Sequence, residues 1–482
     1  MNHGLSRAWI RRVLGAVLMS SVVGCASEAG DLEAPPWFVR SPDGSVEFFD
    51  GRVVPRVPPL LGLREQYEKR LEWLQKKHGT LPSMMRDHGV EMWIVVNHEF
   101  DNDPVTEYVA PDRRYTERRG ALVFVDGGDE GLHAYADLRR PNQDVARFFR
   151  PFPAPRDQRG FQDSDAGLRA IYDTYDPATV ALDMGGRRGQ DSGLTRDGYR
   201  WVLSVLGAGV EGRVVPAAEL VEEYFDTRLP EELEQYRLLF EVTDLLTRRA
   251  LSNEVIEPGV TRAVDLKWWW EQQVADLGSG SDTWFEVHTA VQRFDSATGS
   301  MIEYVHPAPD DYVYQRGDII HWDTGFNYMG FASDWQKVAY VLRDGEDAVP
   351  EGLQRALDNA NRVHEAFRSA PRPGMSGREA TQAIVGALEG VEFDYSVYSH
   401  PLGFQGHALG PSIHSSLLVA ESDAWDSVLR PGSYRSIEFS ATTEIPEFGG
   451  GRLTVPMEDG GYLTPTGYEY LRPYQTEWYL IR

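Results

Sequence analysis

The sequence predicts a two-domain protein in which an α/β domain precedes an α+β domain built from two similar halves. In the first part of the chain, amphipathic helices alternate with short apolar strands, a pattern typical of α/β domains. In the second part, a helix, a Pro-Gly turn, a second helix and strands occur twice in the same order. The length of 482 residues is compatible with two or three domains.

Composition indicates a globular protein and argues against some partners. Hydrophobic residues make up 41% of the chain and charged residues 25%, which is ordinary for a protein with a sizeable core. The formal net charge is -26, and so acidic a surface repels nucleic acid and anionic membranes. We therefore expect no nucleic-acid partner, and we expect part of the acidity to bind cations.

Residues 1–24 are predicted to be a lipoprotein signal peptide. Three arginines give it a basic start, and Val13 to Val23 is an apolar run too short to span a bilayer. Cys25, the only cysteine of the chain, follows directly, and this order resembles a bacterial lipobox. We expect lipidation at Cys25, a tether over residues 25–40, and an exported protein anchored by acyl chains, in the outer membrane facing the periplasm. An ordinary signal peptide is the alternative.

Residues 41–227 are predicted to form the α/β domain. Helical periodicity extends from Leu60 to His88. Short apolar segments bounded by turn residues follow, and they predict buried strands at 91–97, 121–125 and 179–183.

Residues 228–482 are predicted to form the α+β domain. Pro230 suits the first turn of a helix that extends to about Asn253, and a second helix is expected from Thr261 to about Ala275. The helices predicted at 351–369 and 378–388 repeat this pair.

The two Pro-Gly turns, at Pro258 and Pro373, lie 115 residues apart. Each is followed by a carboxylate at the same distance of 65 residues, Asp323 in the first case and Glu438 in the second. The shared offset suggests a duplicated unit with a site between its halves.

A hairpin is expected to bring two carboxylates together. Asp323 ends an apolar strand, and a turn centred on Tyr328 and Met329 would place Asp334 directly opposite it. Facing carboxylates repel each other and stay ionised only with a cation between them. The alternative is a pair of edge-strand carboxylates that point into water.

Further candidate ligands occur later in the chain. His407 lies between small residues in Gly-His-Ala-Leu-Gly, where a backbone can approach a ligand closely, and the tail adds Glu438 and Glu458. Four carboxylates and one imidazole suit Mn, Co, Zn or Fe, and five such ligands suit two ions. His400 either lines the pocket or caps a strand.

These residues resemble the pita-bread metallopeptidases: methionine aminopeptidase, aminopeptidase P, prolidase and the creatinase relatives. That family has an Asp, a second Asp eleven residues later, a His in Gly-His-x-x-Gly, and two Glu, as do the five candidates here. His306, seventeen residues before Asp323, and His414, seven after His407, resemble the family's two substrate-side histidines. The N-terminal half resembles, more weakly, the creatinase-type N-terminal domain.

The resemblance implies a metal-dependent peptidase, most simply an Xaa-Pro aminopeptidase or dipeptidase acting on short peptides. It implies two divalent ions, Mn first with Co or Zn possible, that activate a water molecule. Asp334 and Glu458 would bridge the ions, Asp323 would hold one, and His407 with Glu438 the other. Glu438 would also move a proton, His306 and His414 would bind the substrate, and a homodimer is expected.

Some positions depart from the family pattern. Pro456 replaces an Arg, Ser415 replaces an acidic residue, and Trp-Gln-Lys at 335–337 replaces Ile-Thr-Arg. Glu477, in a C-terminal extension, competes with Glu458 as fifth ligand. Three other functions stay open: hydrolysis of a non-peptide C–N bond on the same fold, a binding module that has lost catalysis, and a catalytically decayed surface lipoprotein.

Overall fold

The structure, a computed structural model, describes residues 37–482 except 112–117, 138–142, 161, 296–299, 305–306, 405 and 419–426. The predicted signal peptide, Cys25, most of the tether and His306 lie outside the described residues. Among the helices of the described part, none combines the length and the apolar character needed to cross a bilayer.

The helices of the described residues follow the predicted order. Their bounds are α1 (Leu63–Asp87), α2 (Thr106–Val109), α3 (Gln143–Phe148), α4 (Ser164–Tyr175), α5 (Arg196–Leu206), α6 (Ala218–Asp226), α7 (Glu232–Ala250), α8 (Ala263–Leu277), α9 (Glu351–Ser369) and α10 (Gly377–Ala387). Side-chain caps fix several starts: Asp163 and Thr195 accept backbone N–H bonds at α4 and α5, and Ser376 forms a capping box with Glu379 at α10.

The N-terminal part contains a small sheet and a six-stranded sheet. The small sheet is β1 (Phe38–Arg40), β2 (Val46–Phe48) and β3 (Val53–Val54), and the larger comprises β4 (Met92–His98), β5 (Arg119–Asp126), β6 (Leu132–Ala136), β7 (Arg150–Pro151), β8 (Val180–Leu182) and β9 (Val214–Pro216). Its order is β7-β6-β5-β4-β8-β9. Apolar clusters on its two faces include residues of α1 and α6 on one side and of α4 and α5 on the other, which is the expected α/β arrangement.

The C-terminal part is built on a ten-stranded sheet. Its strands are β10 (His288–Asp295), β11 (Ser300–Tyr304), β12 (Asp318–Thr324), β15 (Trp335–Val341), β16 (Asp394–Ser399), β17 (Ile413–His414), β18 (Tyr434–Ile445), β19 (Gly451–Thr464), β20 (Gly467–Tyr470) and β21 (Tyr479–Ile481). A separate hairpin between β12 and β15 is formed by β13 (Asn327–Tyr328) and β14 (Phe331–Ala332). The main path is β11-β10-β12-β15-β19-β18-β16-β17, with β20 beside β19 and β21 beside β15.

The strand order of this sheet agrees with the predicted duplication. From the edge to the centre, the first half supplies β11, β10, β12 and β15, and the second supplies β17, β16, β18 and β19 in the matching order. One apolar cluster includes residues of α7 and α8, and the other includes residues of α9 and α10. The predicted fold class is confirmed, and the halves meet where β15 pairs with β19. The boundary at residues 227 and 228 lies between α6 and α7 and stays a prediction.

Candidate active site

One line of directly paired residues crosses the large sheet from β10 to β17. Residues paired in this way on neighbouring strands point to the same face of the sheet, so the line gathers side chains far apart in sequence. In order, it consists of His288, Asp323, Gln336, Glu458, Glu438, Tyr398 and His414. Three predicted ligands and one predicted substrate-side histidine therefore belong to a single row.

The hairpin before β15 differs from the prediction by one residue. Tyr328 pairs with Phe331, and the two turn residues are Met329 and Gly330, with φ of 58° and 81°, as a type I′ turn requires. Asp323 consequently pairs with Gln336, so the expected pairing of Asp323 with Asp334 is wrong. Asp334 directly precedes β15, and its carboxylate still joins the cluster.

Three overlapping groups of side chains have donor atoms within 4.8 Å of one another. One group contains only carboxylates, and the other two include imidazoles. The groups are Asp323 with Asp334 and Glu458, Asp334 with His400 and His407, and His400 with Glu438 and Glu458. All five predicted ligands are thus brought together, and His400 lies among them.

Gln336 orients two of these carboxylates. Its Nε2 donates to Oε1 of Glu438 at 3.1 Å and to Oε2 of Glu458 at 2.8 Å. Ionised carboxylates only accept, so these two contacts fix the amide orientation, and the Gln336 Oε1 accepts from His321 Nε2 at 2.8 Å. One oxygen of each glutamate is thereby held, and the other faces His400. That second oxygen of Glu458 also accepts a hydrogen bond from Ser436 Oγ.

The cluster is electrostatically unfavourable without cations. Burial raises the pKa of Asp323, Asp334 and Glu458, and neighbouring carboxylates raise the pKa of both aspartates further. Burial, with the charge of Glu458, raises the pKa of Glu438 to about 7. Such groups can all be ionised at neutral pH only if positive charge lies between them.

Burial also lowers the pKa of both histidines, His400 and His407, to about 4, so they are neutral at neutral pH and have a lone pair available for a metal. Two buried atoms, Asp323 Oδ1 and His400 Nε2, have no hydrogen-bond partner among the described residues. Unsatisfied buried acceptors aimed into a carboxylate cluster fit a divalent cation, and the donor set of oxygen and imidazole nitrogen suits the Mn, Co and Zn group.

His414 and Glu477 lie outside the ligand groups. The His414 ring lies 5.3 Å from that of Tyr398, and its Nδ1 accepts from the Ser416 backbone N–H at 2.9 Å. The neutral ring therefore carries its proton on Nε2, where it can donate to a substrate. Glu477 is exposed, whereas the Glu458 side chain is 2% exposed and lies within the cluster.

A cavity of about 930 Å³ adjoins His407. Its walls include the aromatic side chains of Tyr108, Trp284 and Phe404, and also Arg188 from the loop between β8 and α5. The Arg188 side chain is half-buried, and its charge contributes to lowering the pKa of His400 and His407. Sequence reasoning missed the roles of both Arg188 and Gln336. Arg188 lies in no motif, and Gln336 was noted only as a departure from the family pattern.

Carboxylates and imidazoles with donor atoms within 4.8 Å of one another form a candidate metal site of the kind that metal-dependent hydrolases use. Residues 234–462, which contain all five predicted ligands, match the model of metallopeptidase family M24. Over these residues the chain is similar to the metallopeptidases of family M24, and together with the site described above this similarity makes it a metallopeptidase.

Similar proteins agree with this assignment. The chain is 27% identical to the uncharacterized peptidase YqhT of Bacillus subtilis over 318 residues, which are 64% of this chain and 78% of that protein. The X-Pro aminopeptidase of Thermotoga maritima has a TM-score of 0.59 at 16% identity, covering 83% of this chain and 99% of that one. The Xaa-Pro dipeptidase of Bacillus anthracis has a TM-score of 0.58 at 17% identity, covering 85% and 100%. These structures share the fold.

Proposed function

We propose that the protein hydrolyses short peptides, as an Xaa-Pro aminopeptidase or Xaa-Pro dipeptidase with two divalent ions. The proposal rests on one observation: the side chains belong to overlapping groups in which the donor atoms lie within 4.8 Å of one another. The predicted ligands in these groups are Asp323, Asp334, His407, Glu438 and Glu458. The names of the similar solved structures, X-Pro aminopeptidase and Xaa-Pro dipeptidase, support the substrate class.

The ligands divide between two positions. Asp323, Asp334 and Glu458, whose donor atoms form one group, would hold one ion. By the family resemblance, His407 and Glu438 would hold the other, with Asp334 and Glu458 shared. The carboxylate-rich set suits Mn, with Co or Zn as alternatives. Bound divalent ions would supply Lewis acidity and lower the pKa of a water molecule toward neutrality.

Glu438 is the proposed proton carrier. Gln336 holds its Oε1, so Oε2 is the oxygen free to take a proton from the attacking water and pass it to the leaving amine. His414 would donate from Nε2 to the carbonyl oxygen of the scissile bond, where negative charge develops. His306, the other proposed substrate-side histidine, lies outside the described residues.

Arg188 supports the preference for short peptides. Its guanidinium has no hydrogen bond or ion pair with any described residue, although it lines the cavity beside His407. A guanidinium pairs well with a carboxylate, and the free C-terminus of a short substrate would bring one to this position. Replacing Arg188 with Ala should raise KM at least tenfold for a free dipeptide and leave KM for the C-terminally amidated peptide unchanged. Equal effects on both substrates would rule out carboxylate recognition.

A peptide panel tests the activity. Metal-depleted protein is supplied with Mn, Co or Zn and given short Xaa-Pro and non-proline peptides. We expect turnover only with added metal and loss of turnover in Glu438→Ala. Glu458→Ala should lose metal binding, whereas the matched Glu477→Ala should keep it. Turnover of none of these peptides by metal-loaded protein would refute the proposal.

The N-terminal predictions also stay proposals, based on residues 1–40. We propose that Cys25 is lipidated and that the chain is carried on the outer membrane as a homodimer. Mass spectrometry of the mature N-terminus tests the acyl groups, and Cys25→Ser should move the protein to the soluble fraction. Light scattering of the soluble variant measures the oligomeric state, and a monomeric mass would refute the dimer.

A further inference from the structure

We infer that Arg228 is a positioning residue for the wall of the substrate cavity. The inference rests on the proposed peptidase activity and deepens it. Arg228 lies between α6 and α7, outside the cavity lining, and it acts through Phe404, whose ring forms part of that lining. Residues 401–404, here called the wall segment, belong to none of the helices and strands described above. Contacts with other parts of the chain therefore fix their position.

The four carbonyl oxygens of the wall segment all accept hydrogen bonds from other parts of the chain. In order along the segment, the donors are Ala408 N, Arg228 Nη2, Ala332 N and the Tyr108 hydroxyl, at 3.0, 2.9, 2.6 and 3.1 Å. Arg228 is the one charged donor among these four, and charge-assisted hydrogen bonds are stronger than neutral ones. Its bond to Leu402 O therefore holds the segment shortly before Phe404.

The Arg228 guanidinium also contacts two aromatic rings. Its Cζ lies 4.7 Å from the ring centroid of Phe404 and 4.9 Å from that of Tyr434. A planar guanidinium stacks on aromatic faces, which an ammonium group cannot do. Tyr434 is buried on β18 and stacks on Tyr236 at 4.0 Å with an interplanar angle of 6°. Tyr434 is thus a fixed support from which Arg228 holds the Phe404 ring.

The charge of Arg228 has no direct counter-ion. The side chain forms no ion pair with any described residue, and its Nε and Nη1 are buried without a hydrogen-bond partner among them. Burial raises the pKa of Asp226 and nearby arginines lower it, but that carboxylate accepts from Arg430 at 3.3 Å instead. Burying polar and charged groups without partners is unfavourable, so stability alone does not account for an arginine at this position.

Glycine at position 403 allows the guanidinium to approach the wall segment. Gly403 has a φ of 146°, and a Cβ there would lie 1.7 Å from Arg228 Nη2. Any other residue would therefore displace the guanidinium as well as strain the backbone. The contact between Arg228 and the wall segment thus depends on both residues.

Arg52 provides a matched control far from the cavity in sequence. Its Nη2 donates to Leu480 O at 2.9 Å, and its Cζ lies 5.2 Å and 5.1 Å from the ring centroids of Phe48 and Tyr479. These contacts are of the same kind as those of Arg228. Arg52, however, forms an ion pair with Asp50 and does not line the cavity. Arg52→Met therefore reports the loss of a stacked arginine that has no contact with the wall segment.

The test compares the steady-state kinetics of Arg228→Met and Arg52→Met in metal-loaded protein, with the peptide that the wild type cleaves fastest. Misplacement of a positioning group by about 1 Å can cost about 100-fold, so the KM of Arg228→Met should rise at least about tenfold, with a smaller change in kcat. Arg52→Met should keep the wild-type KM even where it lowers the melting temperature. Amide hydrogen exchange, followed by mass spectrometry, should become faster in the wall segment only in Arg228→Met.

The kinetic and exchange results separate the possible roles of Arg228. Unchanged KM in a folded Arg228→Met protein would overturn the inference, as would an equal rise in KM for Arg52→Met. If Arg228→Met does not fold, Arg228→Lys retains the charge and a donor without the planar contact to both rings; a raised KM then supports the inference, and the wild-type KM overturns it. Wild-type protein that cleaves no peptide refutes the proposed function instead. In that case faster exchange of the wall segment in Arg228→Met alone still supports the positioning role, and equal exchange in both variants overturns it.

Discussion

Gln336 gives the sharpest test of how the ligand cluster is held. The side chain is 5% exposed and links His321 to Glu438 and Glu458. Methionine has nearly the same shape and cannot donate a hydrogen bond. Gln336→Met should therefore leave the packing in place while it removes the donor that the two glutamates share, and Glu458 keeps its hydrogen bond from Ser436 Oγ.

The expected loss in metal affinity follows from these contacts. Removing a hydrogen-bond partner of metal ligands typically costs about 10–100-fold in affinity, which corresponds to about 1.4–2.7 kcal/mol at 1.36 kcal/mol per factor of ten. Gln336 contacts two ligands, so we expect a value near the upper end of this range. A coupling free energy of about 0.5–3 kcal/mol between Gln336 and His321 in a double-mutant cycle would show that the pair acts as one unit.

Calorimetric titration of metal-depleted protein with Co²⁺ measures the effect. Gln475→Met is the matched control, since Gln475 is equally buried and bonds the backbone of Val338 on the same strand. The control should lower the free energy of unfolding while metal affinity stays within about twofold, because it contacts no carboxylate. If Gln336→Met binds Co²⁺ as tightly as the wild type, or more tightly, the amide does not support the ligands and instead competes with the metal.

Three further predictions concern stability. In metal-free protein, the pKa of Glu438 is raised from 4.5 to about 7. The stability that this group contributes is therefore fully present below about pH 4.5 and is lost as the pH rises through about 7. Calorimetry in the presence of EDTA should show the melting temperature falling over this pH window. A flat profile would contradict it. Lys337→Met leaves the Asp459 carboxylate, 2.9 Å from Lys337 Nζ, buried without its cation, and should cost about 3–5 kcal/mol in urea unfolding; a change below about 1 kcal/mol would contradict the prediction. Gly406→Ala places a Cβ 2.0 Å from the Trp284 ring and should reduce both melting temperature and turnover, whereas Gly386→Ala, with open space in α10, should not.

Local patterns account for most of the fold that the sequence predicted. The helix expected at 351–369 has those bounds in α9, and the strand expected at 91–97 is β4, shifted by one residue. Both have strong periodicity and clear end signals within the segment itself. The hairpin turn was misplaced because its position depends on which residues adopt positive φ. Met329 does so here, a conformation uncommon for a non-glycine residue.

The parts of the site that sequence reasoning missed depend on contacts between distant segments. Gln336 is 102 residues from Glu438 and 122 from Glu458, and nothing near Gln336 in sequence indicates either partner. Arg188 approaches His407 from the N-terminal α/β part of the chain. Residue spacing predicts which side chains share a strand face, but it does not predict which strands become neighbours.

The pairing of β15 with β19 explains why the site lies between the two halves. Asp323 and Glu438 occupy matching strands, and Gln336 and Glu458 pair directly between the halves. At this central pair the halves differ, because one contributes an amide that donates and the other a carboxylate that accepts. A glutamate at position 336 would add a further carboxylate to a cluster in which burial, and then mutual repulsion, already raise the pKa values of the aspartates. The amide instead donates to two of the carboxylates, so the difference between the halves allows four carboxylates to lie together around cations.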